Sequence, residues 1–194
     1  MPSEAINLAC PSCGAPASTG QKTCEFCQRP IVITSFNSVN SLSMPELNKY
    51  SNAYRKVLIN SPDSPIINTS IAMCYMKLKL YDKAATAFEK AIEADFDNSE
   101  LYFFACICLL GNKKPYLHTR DEIDKIMSYL DSAIMIEPRG IYYYFQAYIK
   151  KDYFARKFFA CSPTWQESTQ LAKEHGLTQE DIRTFSSLLG VAGQ

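Results

Sequence analysis

From Ser41 onward, apolar side chains recur every three or four positions, the spacing that lines them up along one stripe of an α-helix. Over residues 42–59 the stripe is Leu47, Tyr50, Tyr54, Val57 and Leu58. Pro62 and Pro65 interrupt it, and the pattern then predicts an antiparallel pair over 66–79 and 82–95, joined around Leu80-Tyr81-Asp82. A further helix carries Tyr102, Ala105, Cys106 and Leu109. The loop Gly111 to Arg120 follows, ended by the capping sequence Thr119-Arg120-Asp121-Glu122. The period resumes with Ile126, Leu130 and Ala133, and again with Tyr144, Ala147 and Tyr148. Ser162 is the expected cap of a helix that starts at Pro163 and ends near Glu174, with Gly176 as its stop. Thr178 caps a last helix with Ile182, Phe185, Leu188 and Leu189 on one face. Ahead of Ser41 the pattern differs, and the β-branched run Ile31-Val32-Ile33-Thr34 predicts a short strand.

The helices recur in register. A frame of about 34 residues starting at Pro65 sets Ile71, Ala72 and Tyr75 on a first helix. It sets Ala84, Phe88 and Ala91 on a second, and Phe96 at the closing turn. Small Ala72 and Ala84 let two backbones approach while Tyr75 and Phe88 fill the space beside them. These positions resemble the tetratricopeptide repeat, although Asn68 stands where that family has an aromatic residue. Pro62 lies 34 residues before Phe96, and Pro138 lies 42 after it, the extra eight falling in Gly111 to Arg120. The resemblance covers residues 42 to 161. It implies a mainly α chain, a tetratricopeptide-like α-solenoid of antiparallel helix pairs, whose C-terminal helix closes the open end.

Composition changes this picture in two places. Lys plus Arg equals Asp plus Glu at 20 each, so the chain has no general attraction for nucleic acid or an anionic membrane, although a local basic patch is compatible with neutrality. The start Met1-Pro2-Ser3-Glu4-Ala5 lacks a targeting pattern, and the most apolar run, Leu101 to Leu110, is about half a bilayer span. The expectation is a cytoplasmic protein without a membrane span. Eight cysteines without an export signal favour reduced thiols over a disulfide framework.

Four of those cysteines carry the strongest chemical signal: Cys10-Pro11-Ser12-Cys13-Gly14 and, ten residues on, Cys24-Glu25-Phe26-Cys27-Gln28. Each pair can grip one ion from a tight turn, and two pairs supply the four sulfurs of a tetrahedral site. These segments resemble the short zinc-ribbon family over residues 6 to 34, departing at Gln28, where the family often has glycine. The resemblance implies one structural Zn2+ held by Cys10, Cys13, Cys24 and Cys27. Four thiolates also suit iron, and the spacing does not choose between the two metals. A redox dithiol would need a βαβ setting, which the pattern lacks. The expected organisation is a zinc ribbon over 1–36, a linker over 37–41 and the helical domain over 42–194. The ribbon stands where the first helix of a repeat would be, so it is expected to pack against or beside the Ser41–Ile59 helix.

No catalytic constellation stands out. His118 and His175 lack motif partners, His118 is expected in solvent, and neither a phosphate loop nor a metalloprotease helix is present. In the tetratricopeptide family the first helices line a concave groove. Carried over by register, its positions here are Thr69, Met73, Met76 and Lys77; Glu100, Phe103, Ile107 and Leu110; and Tyr142, Phe145, Ile149 and Tyr153. This set is apolar and aromatic, suited to an apolar peptide or helix of a partner protein, or to the chain's own C-terminal helix. The expected function is a non-catalytic protein–protein interaction adaptor or scaffold. The alternative is nucleic-acid binding through the ribbon, which has only Lys22 and Arg29 as cations, opposed by Glu4 and Glu25.

Overall fold

The computed structural model describes residues 5–190 and is mainly α, as the periodicity requires. The chain forms two compact units, Met1–Phe96 and Asp97–Gln194.

The first unit begins with a two-stranded antiparallel hairpin, β1 (Asn7–Ala9) and β2 (Pro16–Ser18), in which Leu8 faces Ala17. Four helices follow: α1 (Phe36–Asn40), α2 (Met44–Asn60), α3 (Pro65–Lys77) and α4 (Tyr81–Ala94). Each of the three long helices has a physical start. Glu46 accepts hydrogen bonds from the Ser43 N–H (2.8 Å) and hydroxyl (2.7 Å) ahead of α2. Pro65 fixes the first turn of α3, where its missing N–H costs nothing. Asp82 lies in the first turn of α4, where helix-end charge favours an acid. Ala72 and Ala84 are both fully buried, as expected where α3 and α4 approach closely.

The run Ile31–Thr34 is not a strand. Ile31 and Ile33 are fully buried and Thr34 is exposed, but the run joins no sheet; the Ile31 N–H donates to the Lys22 carbonyl (3.2 Å). The one ladder contact nearby is the isolated bridge Thr23–Pro30. Side chains supply further bonds to the run. The Tyr50 hydroxyl donates to the Pro30 carbonyl (2.8 Å), the Tyr54 hydroxyl to the Ile31 carbonyl (2.9 Å), and the Ile33 N–H donates to Ser70 Oγ (3.0 Å). A β-branched alternation reports burial of one face, and here helices α2 and α3 bury it rather than a sheet.

The second unit contains α5 (Ser99–Leu110), a 3-10 turn (Pro115–Leu117), α6 (Arg120–Ile136) and α7 (Gly140–Ile149), which runs on as a π-helical segment (Lys150–Ala155). It ends with α8 (Trp165–Glu174) and α9 (Gln179–Leu189). Two expectations are corrected here. The cap of α8 is Thr164, boxed with Glu167, not Ser162, because Thr164 and not Ser162 has the acid three residues on. His118 is buried, not solvated. Its ring lies 3.1 Å from the Leu110 carbonyl at the end of α5 and 3.2 Å from the Glu122 carboxylate, so it closes the loop between α5 and α6.

The π-helical turn places Lys150 inside the protein. Its ammonium donates to Gln146 Oε1 (2.9 Å) and Ser168 Oγ (3.1 Å), and the Gln146 amide donates to Asp131 (2.9 Å). These bonds join α6, α7 and α8 and satisfy the buried charge, although burial still pulls Lys150 below the usual lysine range. Gly140 is equally specific. A methyl group there would stand 2.4 Å from the Leu177 N in the turn after α8 and 2.6 Å from the Ala172 carbonyl in its last turn, both backbone atoms. Only glycine lets α7 and that turn approach so closely. Gly140→Ala is therefore expected to destabilise the fold by about 2 kcal/mol or more, read as a lower thermal midpoint; an unchanged midpoint would contradict this packing.

Candidate metal centre and groove-facing residues

The two cysteine pairs fold into matching knuckles. In the first, the Gly14 N–H donates to the Cys10 carbonyl (2.9 Å) and the Cys10 N–H to the Ala15 carbonyl (2.7 Å). In the second, the Gln28 N–H donates to the Cys24 carbonyl and the Cys24 N–H to the Arg29 carbonyl, both at 2.9 Å. Each knuckle turns through a left-handed residue, Gly14 at φ 81° and Gln28 at φ 59°. The second is strained for a side chain with a Cβ. Gln28 partly offsets this by donating from its amide to the Glu25 carbonyl (3.1 Å).

The four sulfurs lie within 4.8 Å of one another, and the Cys10–Cys27 and Cys13–Cys24 separations are both 3.7 Å. Zinc–sulfur bonds of about 2.3 Å in a tetrahedron require sulfur–sulfur edges of about 3.8 Å. The donor set therefore fits a tetrahedral four-thiolate metal site. Backbone N–H groups of Cys27 and Phe26 aim at Cys24 and pull its thiol down, while burial and the three neighbouring sulfurs push the Cys13 thiol up, as expected for four thiols crowded together. Among the described residues no other group of three or more candidate ligands is close enough to hold an ion. Cys106 and Cys108 are buried in α5, where loss of solvent pushes both thiols well up, and Cys106 donates to the Ile126 carbonyl.

The module is fastened to the helices by residues that sequence reasoning assigned only to repeat packing. Tyr50 and Tyr54 lie on one face of α2, and their rings meet edge to face at 6.0 Å. Burial raises both hydroxyls above the usual tyrosine range, which keeps them protonated donors. Arg29 pairs with Glu46 at 3.2 Å. The i, i+4 spacing of two tyrosines was the available signal; nothing in the pattern distinguished a hydroxyl aimed at a backbone from a ring filling a repeat core.

The groove positions turn inward. In the first unit Thr69, Met73 and Met76 are buried and Lys77 half-buried, with α1 packed on α3 and the Lys77 ammonium bonded to Asn40 Oδ1. In the second unit Phe103, Ile107, Leu110, Tyr142, Phe145, Ile149 and Tyr153 are all buried, and Glu100 is exposed. Phe103 meets Tyr142 at 5.4 Å and Phe145 at 5.8 Å. Phe185 of α9 then packs on Phe145 at 4.9 Å and touches Tyr144 and Tyr148. Arg139 pairs with Glu100 at 2.9 Å and lies over the Tyr142 ring.

Residues 67–98 match the family model of the tetratricopeptide repeat. A search of curated sequences finds no significant match. A solved chain titled "MamA MSR-1 C2" superposes with a TM-score of 0.50 at 17% sequence identity, over 66% of this chain and 66% of that one. At that identity the likeness shows the fold. The chain is thus a tetratricopeptide-like helical array preceded by a four-cysteine cluster that fits a zinc site. No helix among the described residues is long and apolar enough to cross a membrane.

Gln28→Gly is expected to stabilise the metal module, because glycine removes roughly 1 kcal/mol of left-handed strain. Competition with a chromophoric chelator should show metal held more tightly in the variant; weaker retention would mean that the Gln28 amide bond matters more than the strain.

Proposed function

We propose that this chain is a non-catalytic protein-interaction scaffold whose four-cysteine module holds one structural Zn2+. The observation that carries the reading is the fastening of that module to α2 and α3 through Tyr50, Tyr54 and Ser70. A module wired into a repeat in this way serves as a fixed end of the helical array. Four thiolates complete a tetrahedral shell, so no position is left for water or substrate, and the metal's role is to hold two knuckles together. Residues 1–36 act as the metal module and 42–194 as the helical domain. Reduced thiols fit a cytoplasmic setting.

A peptide taken at Phe103, Phe145 and their neighbours would have to displace Phe185 of α9, which occupies that face within the chain. The reading therefore favours a partner protein docked on exposed side chains. Phe26, at the tip of the second knuckle and 72% exposed, is the clearest such anchor in the first unit. Nucleic-acid binding by the ribbon has less support, because the Arg29 guanidinium is already paired with Glu46. Glu4 lies outside the described residues.

The test is affinity capture on the full chain, wild type against Phe26→Ser, with metal content measured on both. The expected result is one zinc per chain in each, and a protein partner retained roughly tenfold less well by the variant. Capture that is abolished by nuclease, or is identical for both chains, would contradict this reading.

A further inference from the structure

The second unit carries an exposed feature that the scaffold reading leaves unused. The loop inserted between α5 and α6 reads Lys113-Lys114-Pro115-Tyr116-Leu117, and the turn after the π-helical segment reads Arg156-Lys157-Phe158-Phe159. Each is a pair of bases followed by a pair of large apolar residues, separated in the first by Pro115. The fold brings them side by side. The Tyr116 N–H donates to the Asp152 carboxylate (3.0 Å), and Arg156 and Lys157 lie over the Tyr116 ring at 4.3 and 5.1 Å.

The apolar tips are unusually open to water. Phe158 is 95% exposed and Leu117 69%. Phe158 also sits at φ 59°, a left-handed conformation that a residue with a Cβ adopts at a cost. A strained backbone that holds a phenyl ring in solvent does nothing for packing, and such outliers point toward use.

Charge selects the occupant. The chain as a whole is neutral, but this patch is not. Asp152 is committed to Arg156 and Asp124 to Arg120, while Glu122 serves the Thr119 cap. No carboxylate among the described residues pairs with Lys113, Lys114, Lys151 or Lys157. Exposed Phe158 and Leu117, beside ammonium groups that no carboxylate neutralises, differ from a peptide groove: the protein supplies the anchors, and the other surface must supply both an apolar phase and negative charge. A membrane interface does both, since aromatic rings settle at headgroup level and bases gain from anionic lipid.

We propose that the Tyr116–Leu117 and Phe158–Phe159 tips, with their flanking lysines, form a contact site for an anionic lipid surface. The chain would lie on the membrane through this patch without spanning it.

The test uses the metal-loaded full chain with vesicles of phosphatidylcholine alone and of phosphatidylcholine mixed with phosphatidylglycerol. Co-sedimentation is expected with the mixed vesicles only, and to weaken as salt is raised. Phe158→Gly removes the ring and relieves the strained backbone, so it should lose about tenfold in binding without any fall in thermal midpoint. Lys113→Glu combined with Lys114→Glu should lose at least as much. No sedimentation with either vesicle, equal sedimentation with both, or full binding by Phe158→Gly would overturn the proposal. So would retention of the wild type by poly-glutamate or single-stranded RNA in place of vesicles, which would assign the patch to a different class of partner.

Discussion

A buried chain segment that joins no sheet must find partners for its N–H and C=O atoms, or lose roughly 1–3 kcal/mol for each one left unsatisfied. Residues 30–33 pose that problem at the junction between the metal knuckles and the helices. Tyr50, Tyr54 and Ser70 solve it from two different helices. This arrangement fixes how the knuckles sit on the first repeat. It also explains why Ile31 and Ile33 are fully buried although no strand exists there. A metal held by the four cysteines would organise the two turns, and the side-chain bonds to an irregular backbone attach those turns to α2 and α3.

The helical part shows a related economy. A short array has exposed ends, and apolar faces at those ends need cover. In the first unit α1 packs on α3; in the second, Phe185 of α9 sits against Phe145 of α7. Residues that line an open groove in a longer array become core here. Truncating Phe103 or Phe145 would remove fully buried rings and cost about 3–5 kcal/mol. Such variants would report on folding before they reported on a partner. Surface anchors such as Phe26 and Phe158 can be changed without touching that core.

Much of this was legible in the sequence because it depends on period and on ligand count. The 3.6-residue stripes located α2 to α6 to within about a turn, and the two C-x-x-C pairs marked the four cysteines whose sulfurs the fold brings together. What was not legible depends on which neighbour a side chain meets. Ile31-Val32-Ile33-Thr34 alternates whether a sheet or a helix pair covers it. His118 looked solvated because its partners, the Leu110 carbonyl and Glu122, are meaningful only once the loop has folded back. Lys150 gave no sign of burial, since a π-helical turn shifts the helical register that a sequence pattern assumes. Gln28 was visible as a departure from glycine, and its φ of 59° supplies the physical reason that glycine is favoured there.

The central claim is that the metal holds the knuckles while Tyr50, Tyr54 and Ser70 couple them to the first helices. Amide hydrogen exchange on the full chain, with metal and after chelation, tests it most directly. The account predicts that chelation removes protection from residues 5–34, weakens it through α2, and leaves α6 to α8 protected. Collapse of protection throughout the chain would contradict the account, as would unchanged protection at Cys10, Cys24 and Ile33.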